Sequence, residues 1–278
     1  MNKFMALLNH QFKELGRPLV MGILNVTPDS FSDGGRFNRA DAMKSQIEEM
    51  VSAGVDIIDI GGESTRPGAP PVSLQEELDR VLPALEWVKE NSDVAVSIDT
   101  YKTEVMRQTL LAGADLINDV NALQAEGALE VVSQADVPVC IMHKQGDPQT
   151  MQIAPRYDDV VADVSSFLEE RVQACRNAGV KAEHILIDPG FGFGKTLEHN
   201  IALFRRLDRF AQGQYPVLVG VSRKTMIGAL MGDVPVAERM VGSVVAAVVA
   251  AQKGAAILRV HDVKETVQAL SVAEGLCD

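Results

Sequence analysis

The run VAVSIDTYKTEVMRQTLLAGADLIND, residues 94–119, decides how the chain is read. A short, mostly apolar stretch at 94–98 is closed by Asp99, a segment at helical spacing follows, and a second apolar stretch at 115–118 ends on Asn118. A short apolar run capped by a polar group and followed by a helix is one βα unit, from which parallel sheets are built. Outward from it the same rhythm covers the whole chain. Strand candidates fall at 19–24, 55–60, 94–98, 115–118, 137–142, 185–187, 217–221 and 256–260, each followed by a helix candidate. Eight βα units in series predict an α/β fold, a TIM (β/α)8 barrel. A doubly wound open sheet is the runner-up, because closure and strand order are not visible in local pattern.

The helix candidates carry their own boundaries. Residues 41–53 place Met43, Ile47, Met50 and Val51 on one face and stop at Gly54. The next opens with Ser73 and Glu76 in capping-box spacing, carries Leu78, Val81, Leu82 and Leu85, and is expected to kink at Pro83. Val160, Val164, Phe167, Leu168 and Val172 line a long helix closed by Gly179, and residues 241–251 are apolar enough to predict burial between neighbours. With no linker or low-complexity tract, residues 1–278 read as a single domain, with 1–17 as an N-terminal extension that closes the barrel bottom.

Composition narrows the function classes. A content of 46% hydrophobic residues with 5% aromatics suits a parallel sheet covered by helices. The net charge of -12 argues against nucleic acid and anionic membranes as partners, while a small anionic ligand stays compatible if basic residues cluster. Three cysteines without metal spacing fit a reducing cytoplasm, five histidines show no zinc pattern, and the longest apolar run, 244–251, is too short to span a bilayer.

Polar residues recur at the strand ends: Asn25, Glu63, Asp99, Asn118, His143, Asp188, Lys224, Arg259 and His261. In a barrel these positions converge on one mouth. Taken singly, each aspartate also reads as the N-cap of the next helix. Arg66, Arg223, Lys224, Arg259 and His261 are basic residues at strand ends of an acidic chain, where an anion would bind; the blander reading of Arg259 is a surface pair with Asp262. Two Gly/Pro/Ser-rich loops, 27–38 and 61–72, read as mobile lids, with ordinary surface loops as the alternative. GFGFGKT at 190–196 misses a phosphate-cradling loop by one residue, since Pro189 stands where the first glycine belongs; its glycines predict a tight turn and close backbone approach to a ligand.

The segments MGILNVTPDSFSDGG from Met21, DIGGESTRPGA from Asp59, SIDTYK from Ser97, LINDV from Leu116, MHKQGDPQTMQ from Met142, DPGFGFGKTLEHN from Asp188, VGVSRK from Val219 and LRVHDV from Leu258 together resemble the dihydropteroate synthase family. The resemblance covers essentially everything after about residue 18. It implies a transferase that joins a pterin carried on a pyrophosphate ester to p-aminobenzoate. It assigns pterin recognition to Asp99, Asn118 and Asp188, with Lys224 as a ring donor and Met142 in the apolar wall. Acceptors of that kind suit the donor-rich aminopyrimidinone edge of a pterin. Arg259 and His261 are implied to hold the pyrophosphate, and Asn25 to contribute a ligand to a bridging Mg2+. Phe31, Thr65, Arg66, Pro67, Phe193, Ser222 and Lys224 are implied to surround the p-aminobenzoate; Asp99, Lys224, Arg259 and His261 become the candidate catalytic groups. A homodimer through the late helices is also implied. Lys144 departs from the family, which often has methionine after the histidine. Pterin-binding methyltransferase barrels share parts of these segments and usually lack the full NVTPDSFSDGG and SRK runs; they and a non-catalytic pterin-binding module are the rival readings.

Overall fold

The computed structural model describes residues 2–27, 36–64, 69–146 and 151–277. Its strands are β1 (Leu19–Asn25), β2 (Ile57–Gly61), β3 (Ala95–Asp99), β4 (Leu116–Asp119), β5 (Val139–Met142), β6 (Ile185–Asp188), β7 (Leu218–Val219) and β8 (Ile257–Val260). All pair in parallel in the order β6-β5-β4-β3-β2-β1-β8-β7. A bridge between Ile187 and Val217 joins β6 to β7 and completes the ring, which removes the open-sheet alternative. The fold is a TIM barrel. β7 is shorter than the expected 217–221, bounded by Pro216, which has no N–H to donate, and Gly220.

The helices are α1 (Lys3–Leu7), α2 (Arg36–Ser52), α3 (Leu74–Asn91), α4 (Thr103–Leu111), α5 (Ala128–Ala135), α6 (Val160–Asn177), α7 (Leu197–Arg205), α8 (Leu207–Ala211), α9 (Thr225–Leu230), α10 (Met240–Gln252) and α11 (Val263–Cys277). α2 starts five residues before the expected 41, because no glycine or proline interrupts the chain after Gly35. Gly54 and Gly179 follow their helices with φ of +86° and +94°, the left-handed stop that glycine accepts without penalty. The Ser73–Glu76 capping box forms, and α3 continues through Pro83 as one element, the proline lying on its exposed face.

Two apolar layers hold the barrel. Outward-facing strand residues such as Val20, Ile58, Val96 and Ile117 pack against the helices. Inward-facing Leu19, Met21, Ile57, Ala95, Leu116, Cys140, Leu186, Leu218 and Ile257 fill the lower barrel, and Phe4, Met5 and Leu8 from the N-terminal segment pack beneath them.

The expectation for 241–251 is corrected. α10 buries only Ser243, Ala247 and Ala250, while Val241 and Val245 are 62% and 57% exposed. The small residues let α10 lie close to the barrel, and Val241 and Val245 occupy the opposite face.

Candidate active site

Side chains of a strand alternate between its two faces, so the residues two positions beyond the inward bottom layer also point inward. This parity selects Asn25 on β1, Asp59 on β2, Ser97 and Asp99 on β3, Asn118 on β4, Met142 on β5, Asp188 on β6 and Arg259 on β8, with Ser222 and His261 just past the ends of β7 and β8. They form the upper floor of the barrel. Above it opens a cavity of about 940 Å³, lined by Asn25, Asp99, Phe193, Ser222, Lys224, Arg259 and His261, among others. Asn118, Met142 and Asp188 are at most 6% exposed and stand behind this lining. Phe31, Thr65, Arg66 and Pro67 lie outside the described residues, with residues 28–35 and 65–68 of the two loops read as lids.

Arg259 is the hub of the floor. Its Nε donates to Asp59 Oδ2 at 2.6 Å and its Nη2 to Asp99 Oδ2 at 2.7 Å, while Asn118 Nδ2 donates to the same Asp59 oxygen at 3.3 Å. The surface pair with Asp262 does not form, since that carboxylate holds Arg223 instead. Burial works against the Arg259 charge, and Asp59 and Asp99 outweigh it, raising the pKa. Asp99 is pushed up to about 7 by burial, with Arg259 pulling it down and Asp59 pushing it up. Asp59 Oδ1 and Asp99 Oδ1 are buried and have no hydrogen-bond partner among the described residues. Two such acceptors are costly unless something outside the protein donates to them.

Opposite them, burial lowers Lys224 to about 8 while Asp188 supports its charge. The Lys224 ammonium donates to the Phe191 carbonyl and lies 4.5 Å from the centroid of the Phe193 ring. Asp188, raised by burial, accepts the Gly190 N–H at 2.7 Å. Ser222 Oγ accepts the His261 N–H at 3.1 Å and lies 3.0 Å from His261 Nδ1, which orients the imidazole over the cavity.

The glycines of the β6–α7 loop have φ of +71°, +80° and +63° at Gly190, Gly192 and Gly194. Two of them also seat the neighbouring loop, since a Cβ would lie 1.8 Å from His143 O at Gly190 and 2.3 Å from Gln145 O at Gly194, while at Gly192 it would lie 3.2 Å from the Lys224 side chain. Lys195 clamps the same junction. It is 3% exposed, and its Nζ donates to Gly190 O and His143 Nδ1, both at 2.8 Å, and to Phe193 O at 3.1 Å. Burial lowers it to about 7, and burial together with Lys195 holds His143 down at about 3, a neutral acceptor.

Sequence reasoning missed Lys195, Asp59 and, beside the mouth, the charged group in which Lys102 and Glu77 join the strand-end Glu63 and Thr100 donates to Glu77 at 2.6 Å. The signal for Asp59 was present: a carboxylate in an otherwise apolar strand, in step with the inward residue Ile57. Nothing local marks the other two, whose partners come from other units. Among the described residues no cluster of three or more His, Cys, Asp or Glu is placed to hold a metal ion.

A barrel whose mouth joins buried, unpartnered acceptors to a basic wall defines a pterin-binding class of (β/α)8 enzyme, and the family described as pterin binding enzyme matches residues 21–261. The dihydropteroate synthase of Escherichia coli (strain K12) is 53% identical over 263 residues, covering 94% of this chain and 93% of that one. Two solved structures of the Xanthomonas albilineans dihydropteroate synthase superpose closely. The one with 4-aminobenzoic acid has a TM-score of 0.90 at 50% identity, and the one in complex with 7,8-dihydropteroate 0.86 at 46%, each covering 94% of both chains. The chain belongs to the dihydropteroate synthase family.

Proposed function

We propose that this chain condenses 6-hydroxymethyl-7,8-dihydropterin pyrophosphate with p-aminobenzoate to give 7,8-dihydropteroate and pyrophosphate. The observation that carries the reading is the pair of unpartnered buried oxygens, Asp59 Oδ1 and Asp99 Oδ1, beside Asn118 and Asp188. A flat heterocycle with a donor-rich edge satisfies such a floor, with Met142 as apolar wall and Lys224 donating to the ring. Arg259 and His261 then face the pyrophosphate, and Phe193, Ser222 and Lys224 border the arylamine, which Phe31, Thr65, Arg66 and Pro67 complete.

In the reaction the amine nitrogen forms a bond to the exocyclic CH2, the C–O bond to pyrophosphate breaks with its electron pair, and the amine loses a proton. Arg259 and His261 stabilise the departing oxygens; Asp99 and Asp188 favour positive charge on the carbon, so bond breaking leads. A dihydropterin cation trapped in crystals soaked with the ester supports this order, and isotope effects of a concerted displacement contradict it.

The donor set fits Mg2+. Asn25 Oδ1 and the Asp99 side chain flank Gly61, 3.7 and 3.6 Å from where a Cβ there would stand, and one amide oxygen plus phosphate oxygens and waters is an ordinary magnesium shell. When bound, the ion supplies charge neutralisation for the pyrophosphate.

The exposed apolar side chains Met240, Val241, Val245, Val272 and Leu276 of α10 and α11 support a homodimer; a monomer by light scattering at micromolar concentration removes it. Buried, unpaired Cys140 and Cys175 support work in a reducing cytoplasm, and no described helix is long and apolar enough to cross a membrane.

Purified protein incubated with both substrates and Mg2+, with pyrophosphate and product followed by mass, tests the function. Product requiring all three components is expected. Tight pterin binding without product would leave a non-catalytic module, and methyl transfer from a methylated folate the methyltransferase reading.

A further inference from the structure

Arg223 stands between Ser222 and Lys224, and its φ is +55°, in the left-handed region that a side chain with a Cβ occupies at a cost. Such a conformation persists only where the surroundings impose it. Here the backbone N–H, the carbonyl and two of the three guanidinium nitrogens are all held. Its N–H donates to Ser243 Oγ at 2.8 Å, its carbonyl accepts from Arg239 Nη1 at 3.1 Å, and its guanidinium pairs with Asp262 through Nε at 3.0 Å and through Nη2. The Ser243 hydroxyl is matched on both sides, since its own proton goes to Arg239 O at 2.6 Å. Arg239 is in turn seated by its Nε, which donates to Val234 O at 3.0 Å, and by Gly228, where a Cβ would lie 2.4 Å from that Nε.

The left-handed residue sends its two neighbours to different tasks. Ser222 turns to His261, and Lys224 reaches back to the Phe191 carbonyl and the Phe193 ring. Ser243 is 3% exposed and does not line the cavity, so it acts through this backbone.

We propose that Ser243, with Arg239, is a positioning residue of the reaction: the start of α10 locks the Arg223 backbone in its left-handed form and thereby holds Ser222 and Lys224 in working geometry. The inference rests on the reading that Ser222 and Lys224 meet substrate.

The test uses the full-length enzyme in steady-state assays with the pterin pyrophosphate, p-aminobenzoate and Mg2+. Ser243→Ala strips the acceptor from the Arg223 N–H and is expected to lower kcat/KM for the arylamine roughly ten- to hundred-fold, the scale of a misplaced binding group. Ser243→Thr, which keeps the hydroxyl, restores most of the loss. A serine that merely supports the fold would lower the melting temperature and leave the kinetics of the folded enzyme unchanged; that result, or Ser243→Thr as impaired as Ser243→Ala, overturns the proposal. If Ser243→Ala does not fold, the half-buried Arg239→Gln carries the test through the carbonyl side, with a smaller loss expected and unchanged kinetics again overturning it. Lys224→Ala separates the two layers: retained activity there removes the reading of the site, whereas a dead Lys224→Ala beside a fully active Ser243→Ala removes the clamp alone.

Discussion

Replacing Arg259 by methionine keeps much of the side-chain volume and takes away one charge that two buried carboxylates share. The guanidinium makes hydrogen bonds of 2.6 and 2.7 Å to Asp59 and Asp99, which are 0% and 7% exposed, and is itself 20% exposed. Breaking a buried ion pair from one side costs about 3–5 kcal/mol, because the other charge is left without compensation. Against a total stability of about 5–15 kcal/mol the variant folds, and at roughly 2–4 °C per kcal/mol its melting temperature falls by about 6–20 °C. The cost depends on pH with a definite sign. Asp99 already sits at about 7 with Arg259 holding it down, so the variant raises it further. An acid whose folded pKa is raised keeps a proton that the unfolded chain has released; its penalty grows as pH rises from its ordinary value of 3.8 through the folded one. Denaturant melts at about pH 6 and about pH 8.5 therefore show the larger loss at the higher pH. Activity falls roughly 10²–10³-fold in kcat/KM, the scale of one removed charge-stabilising group. A stability loss under about 1 kcal/mol, or one equal at both pH values, would refute the reasoning about the shared charge.

The pH profile of kcat/KM in the free enzyme is expected to be a bell, rising as Asp99 ionises near 7 and falling as Lys224 loses its proton near 8; a flat profile across that window removes one of the two roles. Gly190→Ala meets both a φ of +71° and a Cβ 1.8 Å from His143 O, whereas Gly179→Ala meets a φ of +94° in open space. The first should cost about 2–5 kcal/mol and the second about 1–2, and equal costs in urea melts would show that the loop packing is not tight. Chelation by EDTA should abolish turnover, with added Mg2+ restoring it, while the unfolding midpoint stays put, because Asn25 alone does not make the ion part of the folded core; a large midpoint shift would mean a structural metal.

How far the sequence reached follows from the range of the forces involved. Alternation along a strand is local, so Asn25, Asp99, Asn118, Asp188, Arg259 and His261 are legible as strand-end groups, and the same parity, applied from Ile57, would have added Asp59. Full burial of 241–251 does not follow from composition, which does not say which face of a helix meets the barrel: Ser243, Ala247 and Ala250 lie inward and Val241 and Val245 outward. The glycines at 190–194 are legible as close-approach positions, whereas the contacts of Gly190 and Gly194 with the loop at His143 and Gln145 are named by no local pattern.

The sequence by itself determined the eight βα units, the parity that turns strand-end residues toward the axis, and the family motifs, because hydrophobic period and turn chemistry act over a few residues. The tertiary structure alone decided closure through the Ile187–Val217 bridge, the pairing of Arg259 with carboxylates 200 and 160 positions away rather than with Asp262, and the left-handed lock on Arg223. Which charge meets which buried partner depends on how the strands are ordered around the ring, and that order is set only when the whole chain packs.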